Sequence, residues 1–199
     1  DTGSLTDNDD ATFTVNTAPV GVLEDFNSFT PGIRIGTYPG WYDGGAGPVV
    51  TSGNGVAGSI GLAAAANIFT WTAHPFNWND ADFIGFNVQM DIQSSSAGKF
   101  DDDRIGWAIS TTSVDSTVQF GVQLDDAVGT PTGGLVTFWR ASDDSTRVYV
   151  LIAPYSGIIA NTYYRLRADI TKLTATSAKI DASLVQLDSS GNPTGTPFT

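Results

Sequence analysis

Hydrophobic residues recur at every second position through much of this chain. In the longest run, apolar side chains alternate with polar side chains or glycine: Ile84, Phe86, Val88, Met90 and Ile92 are separated by Gly85, Asn87, Gln89 and Asp91. A β-strand with one buried face has this two-residue period, whereas an amphipathic helix repeats about every 3.6 residues. The same alternation returns at residues 105–109 and 118–124. It predicts half-buried strands and restricts the chain to folds made of sheets.

Further strands follow from the same pattern. They are predicted at 135–141, 147–153, 163–173 and 178–187, with weaker candidates at 11–15, 23–29, 49–51 and 59–71. Glycine, proline, asparagine and aspartate separate these segments, and such residues favour turns. Four consecutive alanines at 63–66 favour a helix by propensity, but glycine and β-forming residues flank them. About ten to twelve strands predict an all-β, two-sheet antiparallel β-sandwich of the jelly-roll type.

The first twenty residues differ from the rest of the chain. Residues 7–10 form an acidic run, a strand-like segment follows at 11–15, and 17–20 has the character of a linker. This stretch resembles the end of a Calx-beta or cadherin-like repeat, and an ordinary strand of the main domain is the alternative. We therefore predict an N-terminal segment at 1–20 and a β-sandwich domain at 21–199, as part of a larger multidomain chain.

The charge balance limits the partners. Of 21 acidic residues only Glu24 is a glutamate, and nine lysines and arginines leave a net charge of −12. Nucleic acids and anionic membranes need clustered cations, so no nucleic-acid partner is expected. The chain has no cysteine for disulfides or thiolate metal sites, and no apolar run suited to membrane insertion. A charged fraction of only 15% favours a secreted, extracellular or cell-surface protein.

Three consecutive aspartates, Asp101, Asp102 and Asp103, form the strongest candidate metal site. Carboxylates this close raise one another's pKa, and a bound cation relieves the repulsion. Calcium suits such a loop because it accepts six to eight oxygen ligands in flexible geometry. A solvated turn, with Asp103 paired to a cation, is the alternative. A second, weaker candidate that would join the two ends of the chain consists of Glu24, Asp25 and Asp169.

Several stretches resemble known sandwich families. The segment from Phe83-Ile84-Gly85-Phe86 to Asp101-Asp102-Asp103-Arg104-Ile105-Gly106-Trp107 is similar to concanavalin A-like jelly rolls, nearest to the thrombospondin C-terminal lectin-like domain. In that family the aspartate loop binds calcium, and the resemblance implies this role for Asp101, Asp102 and Asp103. Residues 23–32, Gly40-Trp41-Tyr42 and residues 163–169 resemble bacterial laminin-G-like sandwiches. Residues 118–121 depart from the family because they lack its aromatic-rich pattern.

Aromatic and amide side chains beside the predicted turns form the candidate ligand site. Trp and Tyr rings stack on the C–H face of a sugar ring, while amides and carboxylates bind its hydroxyls. The predicted ligand-binding residues are Trp41, Tyr42, Trp71, Asn77, Trp78 and Asn79, with Asp43 and Asp80 nearby. Packing in the protein interior is the alternative for each tryptophan, and it is our prediction for Trp107 and Trp139.

Catalytic side chains are scarce in this sequence. Glycoside hydrolases on this fold use paired acids, usually two glutamates on one strand, and the chain has a single glutamate. The pairs Asp91 with Asp103 and Asp169 with Asp181 are formal substitutes. The single histidine, His74, has no catalytic motif around it. No catalytic residue is therefore assigned.

The sequence favours a binding function over catalysis. We expect a non-catalytic, lectin-like carbohydrate-binding module of a secreted or cell-surface bacterial protein, stabilised by calcium, with a polysaccharide or glycan as partner. The first alternative is a structural or adhesive surface module without sugar affinity. The second is a polysaccharide lyase or a glycoside hydrolase with an unusual site.

Overall fold

The computed structural model describes residues 24–43, 47–63, 70–72, 77–93, 104–110, 118–125, 134–140, 147–154 and 159–199. Two single turns of 3-10 helix lie at Ile35–Thr37 and Val56–Gly58. The strands are β1 (Trp41–Asp43), β2 (Val49–Thr51), β3 (Gly61–Ala63), β4 (Thr70–Thr72), β5 (Gly85–Gln93), β6 (Arg104–Ser110), β7 (Val118–Asp125), β8 (Gly134–Arg140), β9 (Arg147–Pro154), β10 (Tyr163–Thr174), β11 (Ser177–Leu187) and β12 (Pro193–Phe198). In this described part of the chain, no helix is long and apolar enough to cross a membrane.

The strands form two large and two small sheets, all antiparallel. One four-stranded sheet has the order β12-β11-β10-β5, and the other has the order β6-β7-β8-β9. β1 pairs with β4, and β2 pairs with β3, in separate two-stranded ribbons. The second large sheet joins strands in sequence order. The first joins distant parts of the chain, because Gln93 of β5 pairs with Tyr163 of β10, 70 positions later.

The alternation in the sequence predicts the strands of the large sheets well. From β5 to β11, each strand begins and ends within one residue of its predicted bounds. The prediction of an all-β protein with antiparallel sheets is confirmed for the described residues. Strand β12 was not predicted, because Pro193, Gly195 and Pro197 make its sequence look like a turn.

The predicted strand at 23–29 is wrong from residue 24 onward. Residues 26–29 form bends and turns, and none of residues 24–30 belongs to a strand. The Glu24 and Asp25 carboxylates accept the backbone N–H groups of Phe26 and Asn27, at 2.7 and 3.0 Å. Such local bonds compete with strand pairing, and Phe26 takes a left-handed φ of 58°. Of the predicted strand at 59–71, the described residues form β3 and β4, while residues 64–69 and the candidate at 11–15 lie outside the described residues.

The buried core draws on both large sheets. Its members are apolar side chains from alternate positions of five strands: Ile92, Val122, Leu135, Tyr164, Leu166, Ala168, Ile170, Ala182 and Leu184. The rings of Phe86 in β5 and Phe120 in β7 lie 6.3 Å apart and bring the two sheets together. Trp107 packs against this core as predicted, while the side chain of Trp139 lies outside the described part. The arrangement is compatible with a β-sandwich.

Residues 54–56 contact one end of the β12-β11-β10-β5 sheet. The Tyr163 hydroxyl donates to the Asn54 carbonyl at 2.7 Å. A side chain at Gly191, in the turn between β11 and β12, would collide with Val56. Val185 and Leu187 are buried at this end, although they lie on the side of β11 that faces away from the core. Residues 54–56 therefore close one end of that outer side.

Candidate ligand-binding surface

Trp41 belongs to a row of half-buried aromatic rings. Its ring centroid lies 5.7 Å from that of Phe26, and Phe26 lies 6.1 Å from Phe29. Phe29 stacks on Tyr38 at 4.2 Å with 18° between the ring planes. The Tyr38 hydroxyl accepts the Thr30 N–H at 2.7 Å and donates to the Thr30 carbonyl at 3.1 Å. Trp41 is thus a packing residue of this segment, and its contact with a sugar stays a prediction.

Asp43 is enclosed between two glycines and an arginine. Its side chain is only 4% exposed, and its carboxylate pairs with Arg34. The same carboxylate accepts the Gly36 N–H at 3.1 Å. A Cβ atom at Gly36 or at Gly47 would collide with it. Because the Arg34 side chain remains 43% exposed, the pair fixes a guanidinium group at the protein surface.

Tyr42 lies on the other side of β1 from Trp41 and Asp43, since successive side chains of a strand alternate. It is 51% exposed. Its backbone pairs with that of Trp71 in β4, and the Thr70 hydroxyl donates to its carbonyl at 2.9 Å. The β1–β4 ribbon therefore presents the Tyr42 ring to solvent, while Trp41 and Asp43 anchor the ribbon on its other side.

Asn77, Trp78 and Asn79 lie in a tight turn before β5. Asn77 Oδ1 accepts the Asn79 N–H at 3.1 Å, and both amide side chains are exposed. Trp78 is half-buried, packs against the core and lies 5.5 Å from Phe83. The structure thus shows interior packing for Trp78 and places the two asparagines on the outside of the turn.

A lysine fixes this turn on the end of β10. Lys172 Nζ donates to the Asp80 carbonyl at 2.8 Å and lies 6.0 Å from the centre of the Phe83 ring. Its backbone N–H donates to the Ile84 carbonyl at 2.9 Å. An ammonium group over an aromatic face adds to the hydrogen bond. The exposed asparagines are therefore carried by a turn that Lys172 holds on its C-terminal side.

The predicted calcium ligands Asp101, Asp102 and Asp103 lie outside the described residues, as does His74. Within the described ranges, no group of three histidine, aspartate or glutamate side chains could hold a metal ion.

The second predicted calcium site is therefore wrong. The Glu24 and Asp25 carboxylates bind nearby backbone N–H groups, while Asp169 pairs with Arg167. The Asn27 backbone N–H holds the pKa of Asp25 below its usual value. These acids are thus satisfied by local partners.

Three ion pairs lie on the side of β5, β10 and β11 that faces away from the core. We call this side the ion-pair face; its six charged residues are Asp91, Arg165, Arg167, Asp169, Lys179 and Asp181. Neutral Asn87, Gln89 and Ser183 occupy the register positions between them. The polar residues at alternate positions of these strands could have predicted this face from the sequence. The predicted ligand sites lie in turns and loops instead.

The pair between Arg165 and Asp91 is the most ordered of the three. Arg165 Nε and Nη2 each donate to one carboxylate oxygen at 2.8 Å, across the boundary between β10 and β5. The two side chains are only 25% and 22% exposed. The hydrogen bond to Asp91 raises the pKa of Arg165. Arg167 pairs with Asp169 along β10, which raises the pKa of Arg167 in the same way.

Asp169 and Asp181 face each other directly in the β10–β11 register. Each has a cation beside it, because Asp169 pairs with Arg167 and Asp181 pairs with Lys179. Here both carboxylates lie side by side on one sheet.

No protein-family model, no curated protein and no solved structure matches the chain. The described residues define the structural class of this protein, which is all-β with antiparallel sheets. Within that class, the exposed aromatic, amide and paired charged side chains are the features that bear on function.

Proposed function

We propose that this chain is a non-catalytic, lectin-like carbohydrate-binding module on a jelly-roll sandwich of the concanavalin A-like kind. The observation that carries the proposal is Tyr42, an aromatic ring half-exposed on a ribbon that is packed from behind. A flat exposed ring on a strand whose backbone is held in this way can stack on the C–H face of a sugar, and only the side chain has to be ordered on contact. The fold assignment rests on the two antiparallel sheets that contribute to one core.

Polar partners for the sugar hydroxyls come from the next strand and turn. Thr72 ends β4, and Asn77 follows five positions later, so the chain keeps the two within about 18 Å of each other. Asn77 and Asn79 expose their amides there. An amide supplies both donors and acceptors, which suits a hydroxyl group that is itself both.

Tyr42→Ala tests the glycan site. Affinity for a bound polysaccharide should fall about tenfold or more, which corresponds to about 1.4 kcal/mol. Isothermal titration calorimetry with polysaccharides found on a glycan array provides the measurement. Phe198→Ala is the matched control, because Phe198 is also a partly exposed ring, 42% exposed, on strand β12 of another sheet. Equal affinities for the wild type and Tyr42→Ala would refute this role of Tyr42.

Calcium at Asp101, Asp102 and Asp103 is part of the same proposal, together with a secreted or cell-surface location. Its support is the clustering of three carboxylates in a chain that has few cations. With a dissociation constant of about 1 mM, 10 mM calcium stabilises the folded state by about 1.4 kcal/mol, which raises Tm by about 3–6 °C. The triple Asp→Asn variant should lose this shift, and magnesium should not reproduce it.

A further inference from the structure

The ion-pair face carries no net charge, although the chain as a whole is strongly acidic. Its three cations, Arg165, Arg167 and Lys179, balance its three carboxylates, whereas the whole chain has a net charge of −12. Three of the nine lysines and arginines are thus placed on one side of one sheet. The ion-pair face therefore offers many hydrogen-bonding groups but has no net charge that would attract a charged ligand.

Such a face does not suit most macromolecular partners. Nucleic acids and anionic polymers bind where cations are in excess. Protein interfaces have an apolar centre with aromatic anchors and are depleted in Lys and Asp. On the ion-pair face the exposed register positions hold charged or polar side chains, the apolar Val185 opposite Arg165 is buried, and Tyr163 at the end of the face is bound to Asn54. The remaining suitable partner is one that is polar, uncharged and extended.

The donors and acceptors of this face are already fixed in place. Asp91 takes two of the five N–H groups of Arg165, and the other three remain for a ligand. Arg167 is held by Asp169 in the same manner, with Gln89 and Ser183 beside it in the register. Three strands and three rows of alternate residues give a floor of about 10 by 14 Å, which is polar except at the buried Val185. Side chains that are ordered before binding lose less entropy on contact.

One end of this floor is closed. Residues 54–56 cover the sheet where Tyr163 and Leu187 lie, as the bond between Tyr163 and Asn54 shows. At the other end Lys179 and Asp181 are exposed. A chain-like ligand can therefore lie on the floor beside this wall and leave the surface at the open end.

We propose that the ion-pair face binds an uncharged polyhydroxylated chain, a neutral polysaccharide, through the fixed guanidinium and carboxylate groups of Arg165, Arg167, Asp91 and Asp169. The proposal rests on the proposed function and narrows it to glycans without charge. The aromatic ring of Tyr42 and this floor are separate contacts, so each has its own variant.

The test uses the double substitution Arg167→Gln and Asp169→Asn in the full chain. The double variant removes the pair without changing the net charge, and both side chains are about half exposed, so the fold should persist. Thr176→Ala, in the turn between β10 and β11, is the control. Calorimetry with xyloglucan, galactomannan, mixed-linkage β-glucan and dextran probes neutral chains, while alginate and chitosan probe charged ones.

We expect the wild type and Thr176→Ala to bind at least one neutral polysaccharide equally, and the double variant to bind it about tenfold more weakly. If Tyr42→Ala loses affinity and the double variant keeps it, the inference fails while the proposed function stands. Preference for alginate or chitosan also overturns the inference alone. Absence of binding to any polysaccharide overturns both.

Discussion

At the residue scale, the ion pair between Asp43 and Arg34 requires a glycine at position 36. A Cβ atom there would occupy the position of the Asp43 carboxylate. We expect Gly36→Ala to cost about 1–3 kcal/mol of unfolding free energy, because the carboxylate has to move and the ion pair is lost. Urea denaturation measures this cost. In an Asp43→Ala background the same substitution should cost much less, and equal costs in both backgrounds would contradict the packing described.

Asp188 gives a pH-dependent prediction at the same scale. Its carboxylate accepts the N–H groups of Asn192 and Ser190, at 2.9 and 2.8 Å, and the Asn192 backbone bond lowers its pKa below the ordinary value of 3.8. A lowered pKa means that the contribution to stability is complete above about pH 4 and disappears as the pH falls through the folded-state pKa.

The carboxyl resonance of Asp188 should therefore titrate below 3.8, and exchange at the Ser190 and Asn192 amides should quicken in that range. A midpoint at or above 3.8 would show that these bonds do not favour the charged form.

Single side chains were the least predictable from sequence. Tyr42 and Trp41 are neighbours of similar chemistry. Because side chains alternate along β1, the Tyr42 ring is exposed and the Trp41 ring packs against Phe26. The ion pair of Arg34 with Asp43 forms across the Pro39-Gly40 turn; the sequence marks that turn but not which side chains it brings together. Trp78 looked exposed because turn residues surround it, but the core accepts its ring beside Phe83.

At the scale of elements, β10 shows how one strand serves two surfaces. Tyr164, Leu166, Ala168 and Ile170 enter the core, and the alternating Arg165, Arg167 and Asp169 belong to the ion-pair face. Leu166→Ala should cost about 2–5 kcal/mol, because it leaves a cavity between the sheets. Thr171→Ala, on the other side of the same strand, should change stability by about 0.5 kcal/mol or less. Chemical denaturation compares the two, and similar losses would mean that the core does not lie where Leu166 points.

Strands with regular alternation were predictable, and irregular ones were not. The long strands of the large sheets follow directly from a two-residue period, which is a property of the backbone itself. Residues 24–30 failed the prediction because two side-chain carboxylates capture backbone N–H groups. Strand β12 was missed because its pairing with β11 overrides two prolines. Contacts with other residues can thus prevent a strand that local preference favours, as at 24–30, or form one that it disfavours, as at β12.

At the scale of the whole molecule, one hydroxyl ties the segment that contains β2 and β3 to the C-terminal strands. Tyr163 donates to Asn54, 109 positions earlier, and burial raises the pKa of Tyr163. We expect Tyr163→Phe to cost about 1 kcal/mol and to quicken hydrogen exchange in β2 and β3, with β10 unchanged.

Tyr164→Phe is the matched control for that variant. Its hydroxyl accepts the Ile159 N–H at 3.0 Å, only five positions away. Exchange in β2 and β3 should stay as in the wild type. The same response in both variants would show that the hydroxyl of Tyr163 is not what holds the segment.

The route of the chain between β5 and β10 sets the order in which the protein assembles. Strands β6 to β9 pair with one another in sequence order. Strand β5 pairs with β10, whose Tyr163 lies 70 positions after Gln93. Loop closure costs more entropy as the loop lengthens, and distant pairings form slowly. We therefore expect the sequential sheet to appear early in refolding and β5 to gain protection last. During synthesis β5 leaves the ribosome long before its partner β10 is made. Its unpaired edge is therefore the one that needs protection from other chains until β10 follows.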